Sequence, residues 1–254
     1  MIRRTQEQLT PKKLLDEVTF SGLDWPGKTV RLERDTLTDY CQRPASAQPS
    51  IAELYHENSK LFAQMVGELA ATRVDIAEVR REFLHRRAAA LVYSPQAKLS
   101  AVQRALLTGI TQVVPLDLFY AIELRIAEDE TLASHEPLSD RLALVKHLSS
   151  DAAARLTNAI RLIEEPELPH APILFVIGNF ARNDLLFGVR GYRRTLIEAG
   201  RVLEAALRVA SQLGLFARPR LEFADRALDL ILEADGVEEG VIAAIEIGNP
   251  NHDR

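Results

Sequence analysis

The spacing of apolar and polar residues along the chain predicts a series of helices. Apolar positions recur every three or four residues over about residues 193–213, which predicts a long core helix that Gly214 ends. Ser50, with Glu53 three residues later, has capping-box spacing and starts a helix in SIAELYHENSKLFAQMVGEL. Ser100 caps a shorter helix. The other predicted helices are VDIAEVRREFLHRRAAAL, AVQRALLTGI (after Ser100), LSDRLALVKHL, SDAAARLTNAIRLIEE and DRALDLILE, the last capped by an acidic residue.

Shorter apolar runs between polar boundaries predict the strands. LDLFYAIELRIA is rich in aromatic and β-branched residues, and APILFVIGNF is continuously apolar, as a central strand covered on both faces would be. FARPRLEF is a short extended piece, and GVIAAIEIG is a final strand after the turn at Asp235-Gly236. Because strands and helices interleave without regular alternation or glycine-rich turns, the pattern predicts an α+β fold rather than a doubly wound nucleotide-binding fold.

The first part of the chain differs in pattern from the rest. Short strands are predicted around Val18–Phe20 and Thr29–Leu32, and the run RPASAQP at residues 43–49 has the composition of a linker. We therefore predict an N-terminal extension or small subdomain over residues 1–49 and one domain over residues 50–254.

Composition and charge exclude several classes of protein. The chain has 47% apolar and 26% charged residues, enough for a core, and its net charge of −5 lacks the basic excess of a nucleic-acid binder. Its single cysteine excludes an internal disulfide, and its N-terminus has no apolar signal-peptide core. No apolar run approaches the roughly 20 residues that a membrane-spanning helix needs. We predict a soluble, cytoplasmic protein that binds neither nucleic acid nor a membrane.

The titratable residues form no known catalytic or metal-binding motif. His56, His85, His147 and His170 are scattered over different elements, and no His-Glu-x-x-His or Cys-x-x-Cys spacing occurs, so no metal site is predicted. There is also no Gly-x-Ser-x-Gly elbow, which argues against a hydrolase of the α/β type.

Arginines occur in adjacent pairs along the predicted helices. The pairs at positions 80–81, 86–87 and 193–194 are surrounded by acidic residues, so we predict solvated helix faces. Glu198 and Arg201 are three residues apart on the long helix. They form either an ion pair at a dimer or domain seam or the remnant of a cofactor shell.

The stretch from Gly188 to Gly248 resembles the end of a SagB-type protein of the nitroreductase superfamily. In that family an Arg-x-Tyr-Arg segment leads into Glu-Ala-Gly on a long buried helix, followed by a Gly-Leu stop and a helix capped within Phe-x-Asp. The matching residues here are Arg190, Tyr192, Arg193, Glu198-Ala199-Gly200, Gly214-Leu215 and Phe223-Ala224-Asp225. The segment LYHENSKL, residues 54–61, also resembles the family's approach to the domain.

The resemblance implies a nitroreductase-like fold with a mixed, mostly antiparallel central sheet flanked by helices, and a long buried core helix. Family members bind FMN at the interface of an intertwined dimer, and SagB-type members oxidise thiazolines and oxazolines to azoles in peptide natural products. The resemblance also implies that Arg86 and Arg87 match the first two arginines of the family's phosphate motif, Arg-Arg-Ser-x-Arg. Arg190 and Arg193 are the further candidates for the phosphate charge.

Several family positions differ in this chain. Alanines stand at positions 88–90, where the phosphate motif needs a serine and a second arginine, and TQVVPLDLFY lacks the Ser-x-Gly turn that wraps the flavin. Leu186-Phe187 occupies the place of the Lys-Tyr pair implicated in azoline oxidation, and neither side chain can act as a base. The family's His is Arg201, and its Gln-Asn pair is Glu204-Ala205. No catalytic residue is therefore predicted.

Three functions remain open from the sequence. The chain is a degenerate partner subunit with an impaired flavin site, in a homodimer or in a heterodimer with an active paralogue. Alternatively, it is an active FMN-dependent oxidoreductase with a diverged site. As a third reading, it is a scaffold that binds a peptide or another ligand, such as a leader peptide along its first fifty residues.

Overall fold

Residues 75–161 and 171–248 are described by the structure, a computed structural model, and their strands form one six-stranded sheet. The strand order is β3-β2-β1-β4-β6-β5, and all neighbouring strands of this described sheet are antiparallel, where the resemblance implied a mixed, mostly antiparallel sheet. The strands are β1 (Ile122–Glu128), β2 (Thr131–Glu136), β3 (Arg141–His147), β4 (Ile173–Asn179), β5 (Phe216–Arg220) and β6 (Glu239–Gly248).

Helices cover both faces of the sheet. Ser100 caps α2 as predicted, because its hydroxyl accepts a hydrogen bond from the Gln103 amide while the Gln103 side chain accepts one from the Ser100 amide. The helices are α1 (Ile76–Leu91), α2 (Ala101–Val113), α3 (Ser150–Ile160), α4 (Phe180–Phe187), α5 (Gly191–Gln212) and α6 (Asp225–Leu232), with 3₁₀ turns at Leu116–Tyr120 and Gly188–Arg190.

The central strand β4 supplies side chains to two hydrophobic cores. Leu174 and Val176 pack in the core that α2 and α5 cover, whereas Phe175 and Ile177 pack in the core that α3 and α6 cover. All four side chains are fully buried. Both faces of the strand are therefore covered, as its continuously apolar sequence predicted.

The long helix α5 buries one face and exposes the other. It spans 22 residues, and its buried side includes Ala199, Val202 and Val209. The predicted stop is confirmed: Gly214 has φ +70°, and its N–H donates to the Ser211 carbonyl at 3.0 Å. The predicted long core helix is therefore present, beginning two residues earlier than expected.

The largest error of the sequence interpretation concerns β2 and β3. The segment LSDRLALVKHL, predicted as a helix, forms the turn and strand of a hairpin. Asp129 and Asp140 have positive φ angles of 48° and 51° at the turns on either side of β2, and the Glu136 carboxylate accepts hydrogen bonds from the Leu138 and Ser139 amides. These turn interactions and the sheet pairing override a short apolar run whose spacing suits either structure.

Two smaller predictions are also corrected. Leu116–Tyr120, which was predicted to begin a strand, is a 3₁₀ turn, and the strand starts only at Ile122. Helix α6 has Ala224 as its N-cap, with no side-chain capping bond, and Asp225 is its first helical residue rather than its cap.

The predicted boundary after residue 49, the short strands before it and the helix that begins at Ser50 lie outside the described residues and stay predictions. Within residues 75–161 and 171–248, no helix has both the length and the apolar character needed to cross a membrane.

Candidate functional site

Three arginines from three different elements converge on Glu123, near the start of β1. Arg182 of α4 lies 2.8 Å from one carboxylate oxygen, and Arg87 of α1 and Arg125 of β1 lie 3.5 and 3.6 Å from the other. Arg125 also approaches Glu239 of β6 at 3.6 Å. We call Arg87, Glu123, Arg125, Arg182 and Glu239 the Glu123 cluster.

The ion pairs of the Glu123 cluster are largely buried. The side chain of Arg87 is 11% exposed and that of Glu123 is 9% exposed. Burial alone would raise the pKa of Glu123, but Arg87, Arg182 and Arg125 together hold that pKa well below its usual range. Burial lowers the pKa of Arg87, and Glu123 opposes this effect. Removing Glu123 would therefore leave arginines that are buried and poorly compensated.

A second polar group, the Arg80 cluster, joins α1, α4 and α5. Arg80 is 1% exposed, and its Nη2 donates to Asn183 Oδ1 and to Glu198 Oε1, both at 2.9 Å. Asn183 in turn donates to Glu198 Oε2 at 2.9 Å, and Arg194 donates to Glu198 Oε1 at 2.8 Å. The buried Glu198 carboxylate thus has donors on both oxygens.

Leu186 and Phe187, at the end of α4, are held by packing. Leu186 packs near Val79 of α1, and the Phe187 ring lies 4.1 Å from the guanidinium carbon of Arg194 and 5.5 Å from that of Arg80. The position where the resemblance implies a proton-transferring pair therefore holds an aliphatic side chain and an aromatic ring in contact with cations.

The four arginines predicted to hold a phosphate lie in different settings. Arg86 is 43% exposed on α1 and pairs with Glu82 at 3.0 Å, whereas Arg87 points into the Glu123 cluster. Arg190 lies in the 3₁₀ turn before α5, and Arg193 lies in the first turn of α5. The structure thus separates the adjacent pair Arg86-Arg87 into one surface residue and one buried residue.

Two predictions about charged side chains are wrong. The arginine pairs are not uniformly solvated helix faces, since Arg80 and Arg87 are largely buried. Glu198 pairs with Arg80 and Arg194, while Arg201 is exposed. The predicted Glu198–Arg201 ion pair is therefore not formed within the described residues.

Sequence reasoning missed most of the Glu123 cluster and assigned Arg80 and Arg87 to solvated helix faces. The missed residues of the two clusters are Glu123, Arg125, Arg182, Glu239 and Asn183. Arg80 and Arg87 are seven residues apart, which places them on one helix face, and Leu84 between them is buried on that face. In β1, Glu123 and Arg125 alternate with apolar residues, so both lie on the same face of a buried strand. Charged residues at the positions of a buried face were the available signal.

A buried histidine was also missed. His135 Nε2 lies 2.8 Å from Asp140 Oδ1, and Thr108 of α2 donates to the other oxygen of Asp140 at 2.8 Å. Burial lowers the pKa of His135, against the effect of Asp140. These bonds tie the β2–β3 turn to α2. In the described part of the chain, no three His, Cys, Asp or Glu residues are grouped to hold a metal ion.

The arrangement of sheet and helices recurs in solved structures. A protein from Anabaena variabilis, named as a nitroreductase, matches 79% of this chain with a TM-score of 0.57 at 20% sequence identity. The chain has the nitroreductase fold. A chain of the E. coli microcin synthetase McbBCD complex, with truncated pro-MccB17 bound, shares this nitroreductase fold over 92% of the present chain, with a TM-score of 0.52 at 14% identity.

The coverage differs between these two proteins. The present chain covers 46% of the Anabaena protein, less than half of that protein's length. It covers 86% of the matched microcin synthetase chain. No protein-family model and no curated protein matches the sequence. The nitroreductase-like α+β fold predicted from residues 188–248 is therefore confirmed through structural similarity alone.

Proposed function

We propose that this chain is a cytoplasmic subunit of an assembly that matures peptide natural products by azoline oxidation, and that its own flavin site is impaired. The observation that carries the proposal is the position of Arg87. A phosphate-binding guanidinium must present its donors to the ligand. Arg87 instead lies against Glu123, so its charge is already compensated inside the protein.

The neighbouring residues support the same conclusion. Positions 88–90 of α1 are alanines, which offer a phosphate neither a hydroxyl nor a guanidinium. Leu186 and Phe187 provide no titratable group, so an azoline bound beside them would find no base there for its ring proton. The described residues therefore do not fit FMN well, and we assign no catalytic residue.

The assembly role rests on the structural similarity to a chain of a multi-subunit synthetase with a truncated precursor bound. By analogy, the expected partners are a second nitroreductase-fold subunit, either a further copy or an active paralogue, and a precursor peptide. A subunit of this kind keeps its fold because the assembly needs its surfaces, even after its cofactor residues have changed.

The test is the visible absorption spectrum of the purified full-length protein before and after addition of FMN. We expect a colourless protein whose addition leaves the spectrum of free FMN unchanged. The variant A88S/A90R restores the family's phosphate motif and should bind FMN more tightly than the wild type does. A flavin band at about 450 nm that stays with the purified wild-type protein would overturn the proposal.

An active FMN-dependent oxidoreductase is the second candidate. One observation favours it: Arg87 Nη1 is buried without a hydrogen-bond partner, so one donor remains for a phosphate oxygen. In this case Arg86, Arg87, Arg190 and Arg193 supply the phosphate charge, and the purified protein is yellow. The variant R87A should then lose the colour, whereas R155E, at an exposed position on α3, should keep it.

A further inference from the structure

Two adjacent grooves run between α2 and α5, and no described part of the chain fills them. One, of about 380 Å³, lies where α5 faces the end of α2, and the other, of about 550 Å³, continues along both helices as far as Leu213. Three large apolar side chains of the grooves, Val113, Ile197 and Leu213, are 43–60% exposed. We call the two grooves together the α2–α5 strip. From Ile197 to Leu213 the strip is ~24 Å long.

The charges of the α2–α5 strip are mostly positive. Arg104 of α2 and Arg201 and Arg208 of α5 line it, together with one carboxylate, that of Glu204. All four residues are exposed, and none of the three guanidinium groups makes a hydrogen bond or an ion pair within residues 75–161 and 171–248. An apolar strip with three such arginines is suited to a segment that combines apolar and acidic side chains.

One segment outside the described residues has this character. The sequence predicts a helix over residues 50–69, and at ~100° per residue its large apolar side chains form a single stripe about 140° wide. Glu57 and Glu68 border this stripe, Glu53 is one turn from Glu57, and the one lysine, Lys60, lies on the opposite side. The stripe includes Ile51, Leu54, Phe62, Met65 and Leu69.

The start of α1 lies near one end of the α2–α5 strip. Arg80, in the second turn of α1, donates to Asp117, and residues on either side of Asp117 line the strip beside Ile197. Residues 70–74 connect the predicted helix to the described chain and span up to ~17 Å when extended. The predicted helix can therefore enter the strip at Ile197. Its 20 residues are ~30 Å long, enough to reach Leu213 at the other end.

We propose that residues 50–69 of this chain form an amphipathic helix that docks on the α2–α5 strip of the same molecule, antiparallel to α5. In this direction Glu68 lies beside Arg201, and Glu57, three turns earlier, lies within reach of Arg208 and Arg104. The inference goes beyond the proposed function and does not depend on it, because the docking requires neither a flavin nor a partner.

The first test is limited proteolysis of the full chain with chymotrypsin, which cleaves after Tyr55 and Phe62 when the segment is accessible. R201E/R208E should raise the rate of cleavage there by about tenfold, because it places carboxylates beside carboxylates. Adding E57R/E68R to that variant should restore the slow cleavage of the wild type. The control R155E/R226E reverses two exposed arginines on α3 and α6 and should leave the rate unchanged.

A second test separates docking within one molecule from docking on a second copy. In a C41S background, a short bis-maleimide should link L69C to I197C within one chain. The same reagent should not link I51C to I197C, because Ile51 lies ~27 Å further along the helix. Rapid cleavage of the wild type, cleavage that ignores the arginine reversals, no rescue by E57R/E68R, or links in both cysteine pairs or in neither would each overturn the proposal. So would a link between two chains, seen as a doubled mass under denaturing conditions.

Discussion

Asp184, within α4, lies close to Gly191, the first residue of α5. A side-chain carbon at Gly191 would come within 2.3 Å of Asp184 Oδ1, and this oxygen has no hydrogen-bond partner. Burial raises the pKa of Asp184 to about 6, and a hydrogen bond from the Tyr192 amide opposes the rise. The charged form of this carboxyl group is therefore less stable in the folded protein than in the unfolded chain.

This environment predicts a pH-dependent effect of D184N. The folded pKa lies above the unfolded value of about 3.9, so the folded state binds more protons between those values and the free energy of unfolding falls as pH rises through about 6. An asparagine keeps the shape without the charge. At pH 8 the variant should be more stable than the wild type by ~1 kcal/mol, a value reduced for the partial exposure of the site.

Urea denaturation at about pH 4.5 and pH 8 measures this difference. The advantage of D184N should shrink at the lower pH, where the wild-type carboxyl is protonated in the folded state. A constant difference at both pH values would contradict the role given to the charge.

Glu123 is the residue on which the buried arginines depend. Replacing it by glutamine leaves Arg87, Arg125 and Arg182 with Glu239 as their remaining close carboxylate within the Glu123 cluster. Removing one partner of a buried ion pair costs about 3–5 kcal/mol, so E123Q should lower the free energy of unfolding by that order.

The exposed pair Glu82–Arg86 on α1 provides a matched control for Glu123. E82Q breaks an ion pair of the same chemistry in solvent and should cost less than ~0.5 kcal/mol. Thermal unfolding of both variants measures the contrast, and similar losses in the two would show that burial of the Glu123 cluster contributes little.

The Glu123 and Arg80 clusters also show why the contacts of single side chains were harder to predict than the positions of helices and strands. Arg80 and Glu198 are 118 residues apart in sequence, so no local pattern relates them. Arg86 and Arg87 looked equivalent as neighbours, yet the helix turns one outward and the other toward Glu123. The sequence could indicate that a charged residue shares a face with apolar ones, but not which distant carboxylate it meets.

At the scale of single elements, the glycine in the middle of α5 and the glycine just after its end have opposite requirements. Gly214 has φ +70°, which an alanine adopts only with strain, whereas Gly200 lies in regular helix with free space around it. G214A should therefore destabilise the protein by ~1 kcal/mol, and G200A should stabilise it by ~0.5–1 kcal/mol.

Chemical denaturation measures the free energy of unfolding of both glycine variants. The wild type is the common reference. If both substitutions shifted stability in the same direction, the assignment of Gly214 as the helix stop or of Gly200 as an unconstrained helical position would be wrong.

The helices and strands whose pattern lies entirely in their own local sequence were predicted best. The periodicity of α5 and the continuous apolar run of β4 depend on local sequence, and both elements appear where expected. The hairpin of β2 and β3 was missed because its stability comes from neighbours. The Glu136 side chain closes its turn, and the outer edge of β3 pairs with Gln96. Such interactions are invisible to a pattern read along one segment.

At the scale of the whole molecule, sixty residues of resemblance were enough to predict the architecture. The order of the long helix, the stop, the short extended piece and the closing strand defines how the C-terminal part crosses the sheet, and the solved structures with this fold agree. The cofactor question depends instead on a few side chains. Fold and site are therefore predictable to different degrees, because packing tolerates substitution and ligand geometry does not.

The position of β4 in the sheet affects how the protein unfolds. Since this strand contributes alternate side chains to both cores, neither helical layer can detach without exposing fully buried groups such as Phe175 or Val176. The two helical layers therefore unfold as one cooperative unit. A substitution that weakens packing on one face of the sheet also destabilises the other face. A protein built this way presents rigid surfaces on both sides of the sheet, and a loss of stability on one side affects both.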